Sequence, residues 1–526
     1  MVDIIFRNGE IVDGSGKARY KGDVAVQGDT IIAIGNLADL QAEEVVDISG
    51  KVISPGFIDM HSHADMYLPI VPEADSLVHQ GITTVVTGHC GASPAPLTEE
   101  NRDEVIKSSD AEGINLPWER FRTFGGFLDY MREIGMSLNM TPIVGQGMIR
   151  SAVVGYSAHR PNEEQMEKMQ RLVEEAMDAG AIGISTGLIY PPGSYASTEE
   201  LIEVTKPVGE RGGIYFSHIR GESDTLLEAT REEIEIGRKT GAAIHHSHFK
   251  AAGRENWGLA VPALELIEQA VAEGLDMTAD MYPYLAGSTG LVAILPEWAQ
   301  EGGLEAIVGR LTDKAARQKM EHSMKTEGFF KVAEWDKVLI PSASNPAYVG
   351  KYISELADVA GKTPYDWIFD ALLETQGQIG MILFMMSEEN VKMQLTHSSM
   401  MIGTDGAGVP FEGPFAQGAP HPRSFGTFPR VLGKYVREEG VLTLEDAVRR
   451  MTGFPAQKLR YTDRGLLKQG NKADLVIFDP LTILDKADYV NPFQKPDGID
   501  HVLVNGVYVV RSGMHTRARP GVVTQK

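Results

Sequence analysis

The residues best suited to chemistry in this 526-residue chain are histidines, its single cysteine and one aspartate, each closing a strand-like apolar run. "GFIDMHSH" ends in His61 and His63, and "GITTVVTGHC" in His89 and Cys90. "GGIYFSHIR" ends near His218, "AAIHHSHFK" in His246, His248 and Lys250, and "SMMIGTDG" in Asp405. Imidazole, thiolate and carboxylate are the ligand types of zinc. Alternation along a strand puts His61 and His63 on one face, where two neutral imidazoles can serve one ion. Taken singly, each residue also fits a bland role: a solvated histidine pair, a small buried thiol, a turn aspartate. Five runs with the same kind of ending, in a chain with one Cys and 14 His, favour a metal-dependent enzyme.

Residues so far apart in sequence need a scaffold that gathers strand ends. The middle of the chain alternates helix and strand with Gly-marked turns: "PNEEQMEKMQRLVEEAMDAG" then "AIGISTGLIY", "SDTLLEATREEIEIGRKTG" then "AAIHHSHFK", "PALELIEQAVAEG" then "LDMTADMYPY". In the first of these helices Met166, Met169, Leu172, Val173, Ala176 and Met177 share one face, and Gly180 ends it. Repeated units of this kind predict a parallel sheet closed into a (β/α)8 TIM-like barrel, an α/β fold that places its chemistry at the C-terminal strand ends. Both termini instead read as short strands with turns, "DIIFRNGEIVDG" at one end and "GIDHVLVNGVYVVRSG" at the other. The expected organisation is a small β-sandwich built from residues 1–56 and 461–526 around a barrel over 57–460. A helical insertion at about 288–345 breaks the barrel rhythm where a lid would lie.

Not every histidine belongs to this set. Period-two phase puts His246, His248 and Lys250 on the inward face, with His246 deeper and packed, and turns His245 outward toward the helices. His79, in the helix-like "EADSLVHQG", and His322, in a charged segment, read as structural or exposed.

Composition excludes other classes. With 49 Lys+Arg against 72 Asp+Glu the net charge is −23, which argues against nucleic-acid binding. No apolar run is long enough for a membrane span, and the N-terminus lacks the pattern of a signal peptide. One cysteine allows no intrachain disulfide. Together these predict a cytoplasmic protein and leave its oligomeric state unassigned.

The chain resembles the amidohydrolase superfamily, and within it the N-acyl-D-amino-acid deacylases (D-aminoacylases). The likeness runs through "PGFIDMHSHAD", "QGITTVVTGHCGASPAPL", "GAIGISTGLIYPPGSYA", "SHIRGE", "HHSHFK", "YPYLAGST", "MIGTDG" and "HPRSFGTFPRVLG". A cysteine after "VVTG" marks this branch, since relatives often supply a carbamylated lysine or a carboxylate there. The resemblance implies one tightly bound zinc on Cys90, His218 and His248. It implies a second, weaker metal position bordered by His61, His63 and Asp405, with Cys90 bridging. Two positions depart from the family pattern, His89 where Asn is usual and Gln146 where His is frequent.

The implied reaction hydrolyses the amide of a small N-acylated D-amino acid. Zinc acidifies water and polarises the carbonyl. Asp405 is the expected base, taking the water proton and returning it to the leaving amine. Lys250 and Arg423 are the expected partners of the α-carboxylate, with Tyr282 and Ser288 assisting and Tyr190 a further contact. "AGSTGLVAILPEW" is apolar, and no Arg or Lys follows until Arg310, so a neutral or hydrophobic side chain is expected. A cyclic-amide hydrolase of the hydantoinase or dihydroorotase type is the first alternative, but no strand-end lysine fits its metal bridge. A non-catalytic barrel used for binding is the second, and it would have no use for all six metal-site residues.

Overall fold

The structure, a computed structural model, describes residues 1–111, 116–327 and 334–524. Eight parallel strands form its centre: β1 (Phe57–Ser62), β2 (Ile82–Thr87), β3 (Asn139–Pro142), β4 (Gly183–Gly187), β5 (Ile214–His218), β6 (Ala243–His246), β7 (Met277–Met281) and β8 (Met400–Ile402). Parallel ladders run β1–β2–β3 and β4–β5–β6–β7–β8, the second extended beyond β4 by Val144–Gly145. Ile182 N donates to Pro142 O on one side, and the Ser62–Gly406 bridge and Asp405 N to His61 O join the other, so the ring closes. This is the expected (β/α)8 barrel.

Helices return the chain between strands for reasons visible in the sequence. Glu163–Ala179 starts on an Asn162–Gln165 capping box and stops at Gly180, whose φ of 126° suits glycine. Its predicted face is the packed one, with Met169, Val173 and Ala176 buried. Leu226–Thr240 and Ala260–Ala272 repeat the pattern before β6 and β7. Inside the barrel, Ile58, Met60, Ile214, Phe216 and Met401 pack with Ala456 and Leu459. Ile58 and Ile214 begin their strands, so helix Gly453–Lys458 plugs the amino-terminal end and leaves the carboxyl end for the site.

Strands from both termini share one sheet. Val52–Pro55 pairs antiparallel with Leu475–Phe478, and the ladder forks at Val2–Ile11, which also pairs with Ala42–Asp47. Between β7 and β8 the chain makes a long excursion. Helices Gly303–Thr312, Lys314–Thr326, Ile353–Ala360 and Pro364–Glu374 pack on a three-stranded antiparallel sheet of Ala286–Gly290, Val338–Leu339 and Gly380–Phe384. They bury a core of their own around Leu291, Met320, Trp367 and Phe369. Residues 328–333 of the predicted insertion lie outside the described residues. No described helix is long and apolar enough to cross a membrane.

Candidate metal centre

Every strand end singled out in the sequence opens onto one point at the carboxyl end of the barrel. Two overlapping groups of donor atoms lie there, Cys90, His218 and His248, and His61, His63, Cys90 and Asp405. Within each group all donor atoms lie within 4.8 Å of one another. Cys90 Sγ is 3.5 Å from both His61 Nε2 and His248 Nε2, and belongs to both groups. Asp405 Oδ1 lies 3.1 Å from His63 Nε2 and 3.5 Å from His61 Nε2.

Three of these residues bend the backbone to get there. Cys90, His248 and Asp405 have φ of 54°, 37° and 48°, in the left-handed region that side chains other than glycine seldom adopt. Gly88 prepares the turn at Cys90, because a Cβ there would sit 1.9 Å from Ile143 O. Asp59 accepts from Thr404 N at 2.8 Å, from Thr404 Oγ1 at 2.6 Å and from His61 N at 3.1 Å, which ties β1 to the turn bearing Asp405.

The turn at His248 corrects one reading. β6 stops at His246, so alternation counted back from His248 assigns the wrong face. His245 points into the barrel, 2.9 Å from Asp280 Oδ2 and against Phe216. His246 points outward and meets Glu233 of helix Leu226–Thr240. His79 is buried against Phe411, and His322 is exposed in helix Lys314–Thr326.

Two carboxylates that support the site went unassigned in the sequence. Glu222 Oε1 lies 2.6 Å from Lys250 Nζ and 3.1 Å from His248 Nδ1. Asp280 Oδ1 accepts from His248 N at 3.0 Å, while Oδ2 faces His245 and, at 3.4 Å, His61 Nδ1. Burial opposes the charge on Asp280, yet His61 and His245 hold it well below the usual carboxylate range. A partner on Nδ1 leaves Nε2 of His61 and His248 directed at the cluster, the arrangement that orients histidine ligands. The signals were present: Glu222 follows His218 by four residues in "SHIRGE", and Asp280 lies in β7 within "TADMYPY".

The donor set fits zinc. Ligand atoms of a tetrahedral ion with ~2.3 Å to sulfur and ~2.1 Å to nitrogen stand about 3.6 Å apart, close to the 3.5 Å between Cys90 Sγ and His248 Nε2. Both ring nitrogens of His218 are buried without a hydrogen-bond partner. Burial holds the His218 imidazole neutral, the form that ligates. Burial and then Asp405 push the Cys90 thiol well above its ordinary range, so a nearby cation is what would make it a thiolate.

The remaining expected residues ring the same centre. Arg423 Nη1 is 2.8 Å from Asp405 Oδ2, and its guanidinium lies over the Tyr282 ring at 4.9 Å. Arg423 Nη2 donates to Ser288 O at 3.3 Å. Lys250 Nζ is 5.8 Å from the Tyr282 ring. Tyr190 packs on His218 and shares a 3.0 Å hydrogen bond with Thr289 Oγ1. All five line one cavity of about 900 Å³ with Cys90, His218, His248 and Asp405. His89 stacks on His61 at 3.9 Å, and neither His89 nor Gln146 has a side-chain hydrogen-bond partner.

Known proteins resemble this chain over its whole length. Residues 44–510 match the model of the family described as "Amidohydrolase family". The chain is 38% identical over 521 residues to a D-aminoacylase of Alcaligenes xylosoxydans xylosoxydans, covering 99% of this chain and 97% of that one. A D-aminoacylase structure reported for its binuclear metal centre, with one-metal activation and second-metal attenuation, superposes with a TM-score of 0.85 at 35% identity over both whole chains. An N-acyl-D-glutamate deacylase of Bordetella bronchiseptica, solved with zinc and a phosphonate mimic of the tetrahedral intermediate, gives 0.84 at 32% over both whole chains. An L-hydantoinase of Arthrobacter aurescens, at 17% identity, a TM-score of 0.57 and full coverage of both chains, shares the fold alone.

Proposed function

From the premise that this chain belongs to the amidohydrolase family, we propose that it is a zinc-dependent deacylase that hydrolyses N-acyl-D-amino acids to a carboxylate and a D-amino acid. One observation carries the reading: Cys90, His218 and His248 converge on the cavity that Arg423, Tyr282 and Asp405 also line. Cys90, His218 and His248 hold the tight zinc, and His61, His63 and Asp405 border the second, weaker position. Zinc, when bound, supplies an acidified water and polarises the amide carbonyl.

The chain's own groups do the rest. Arg423 has five N–H donors, enough to hold Asp405 and a substrate α-carboxylate together. Tyr282 lies beneath that guanidinium. Lys250 has three donors, one of them used by Glu222, and sits beside His248. Burial opposes the charge on Asp405, but Arg423, His248 and His61 hold it well below the usual carboxylate range. Asp405 is therefore ionised, as a base must be, takes the proton of the attacking water and delivers it to the departing amine nitrogen.

A neutral or hydrophobic side chain suits the cavity. Of its three described cations, Lys250 and Arg423 are assigned to the α-carboxylate, and Arg220 is held by Glu232, Ser194 O and Ala196 O. A second substrate carboxylate would meet no uncommitted cation, and burying it unpaired is costly. The test is kcat/KM over N-acetyl D- and L-amino acids. N-acetyl-D-leucine, D-methionine and D-phenylalanine should be turned over far better than N-acetyl-D-glutamate, and the L forms hardly at all. Preference for D-glutamate would overturn the side-chain argument, and preference for L substrates the reaction itself.

A further inference from the structure

The cavity above the metal centre is larger than an acetylated amino acid needs. Its volume of about 900 Å³ is near the top of the range of roughly 300–1,000 Å³ for pockets that bury drug-sized ligands, whereas N-acetyl-D-leucine has about a dozen non-hydrogen atoms. The order of strands around the barrel says which part of that cavity an acyl group would meet. Lys250, Tyr282 and Arg423 follow β6, β7 and β8, so a carboxylate held there sits on one side of the mouth. With the scissile carbon at Cys90 and His248, the acyl group points away from that side, toward the loops after β2, β3 and β4.

That arm is apolar. Ala92, Met148, Tyr156, Ile189 and Pro192 line it, and no Asp, Glu, Lys or Arg lies among the cavity residues from Gly91 to Pro192. Its floor is held low by backbone packing: a Cβ on Gly187 would stand 2.1 Å from Cys90 O, so that position stays glycine. Ala92 is exposed within the described residues, so its methyl faces open space rather than the core.

Resting on the deacylase reading above, we infer that this arm is an acyl subsite built for a medium-chain alkanoyl group such as octanoyl, rather than for acetyl. Such substrates are N-alkanoyl-D-amino acids whose apolar tail lies over the loops after β2–β4 while the carboxylate lies at Arg423. The acyl group leaves as the free alkanoate.

The experiment uses the zinc-loaded full chain and one head group, D-leucine, carrying acetyl, butyryl or octanoyl. Each buried methylene is worth roughly a factor of four, so kcat/KM should rise at least tenfold from acetyl to octanoyl. Ala92→Phe should remove that rise and leave N-acetyl-D-leucine within about threefold of wild type, and Ile189→Phe should do the same from a different loop. In calorimetric titration, octanoate should bind at least tenfold more tightly than acetate to the wild type only. Equal or better turnover of the acetyl substrate, or an octanoyl advantage that survives both substitutions, would overturn the subsite. If no N-acyl-D-leucine is hydrolysed while octanoate still outbinds acetate, the reaction fails and the subsite stands.

Discussion

Nη1 of Arg423 lies 2.8 Å from Oδ2 of Asp405, and the opposite oxygen of that carboxylate faces His63 at 3.1 Å. The ion pair therefore decides which oxygen points at His61 and His63. It also links the residue read as substrate clamp to the residue read as proton carrier.

Replacing Arg423 by Lys tests that link, because a point charge on a flexible stem cannot hold both carboxylates as a planar fork does. Arg423→Lys should lower kcat/KM for N-acetyl-D-leucine by at least about a hundredfold, roughly the cost of unpairing a hydrogen-bonded charge. The loss should be smaller for the corresponding carboxamide, which has no α-carboxylate to place. Equal losses on the two substrates would leave Arg423 acting on Asp405 alone.

Glu222→Gln tests the support behind His248, a proposed zinc ligand. It removes the charge that sits 3.1 Å from His248 Nδ1 and 2.6 Å from Lys250 Nζ. Loss of such a partner costs about 10–100-fold in metal affinity. Competition with a chelator should show zinc held that much more weakly, with the fold unchanged by circular dichroism. Unaltered affinity would remove Glu222 from the site.

The strand ends were legible because a barrel turns a sequence pattern into a place. Apolar runs closing in His, Cys or Asp are visible in one dimension, and the fold gathers them at its carboxyl rim. What the sequence hid depends on backbone geometry. His245 and His246 exchanged faces because the chain leaves β6 at His246 and turns at His248 with φ of 37°. Glu222 and Asp280 escaped because one acidic residue near a histidine is common, and only distances reveal that both lie behind zinc-type ligands. The pairing of Lys250 and Arg423 with Glu222 and Asp405 was likewise invisible, since partners from different loops leave no mark in spacing.

Lys458 gives the fold a pH dependence of its own. Its side chain is 1% exposed at the plugged end of the barrel and bonds Asp276 Oδ1 at 2.7 Å. Burial lowers its pKa to about 8 from the ordinary 10.5, with Asp276 offsetting part of the effect. Between those values the unfolded chain binds more protons than the folded one, so stability rises with pH across that window. Below about 8 both states are protonated and the penalty is present in full. In urea unfolding, the wild type should gain on Lys458→Met from pH 8 to 10 by up to about 1.4 kcal/mol per pH unit. Parallel curves for the two proteins would contradict the burial argument.

The most direct test of the metal centre is zinc content and activity of Cys90→Ala, measured on the same sample. Cys90 is the donor common to both ligand groups, and its Sγ is 3.5 Å from one imidazole of each. Its removal should take the zinc below stoichiometry and abolish hydrolysis of N-acetyl-D-leucine, while the circular dichroism spectrum stays that of the wild type. Zinc retained at wild-type stoichiometry in the folded variant would contradict the assignment of Cys90 and, with it, the centre proposed for this protein.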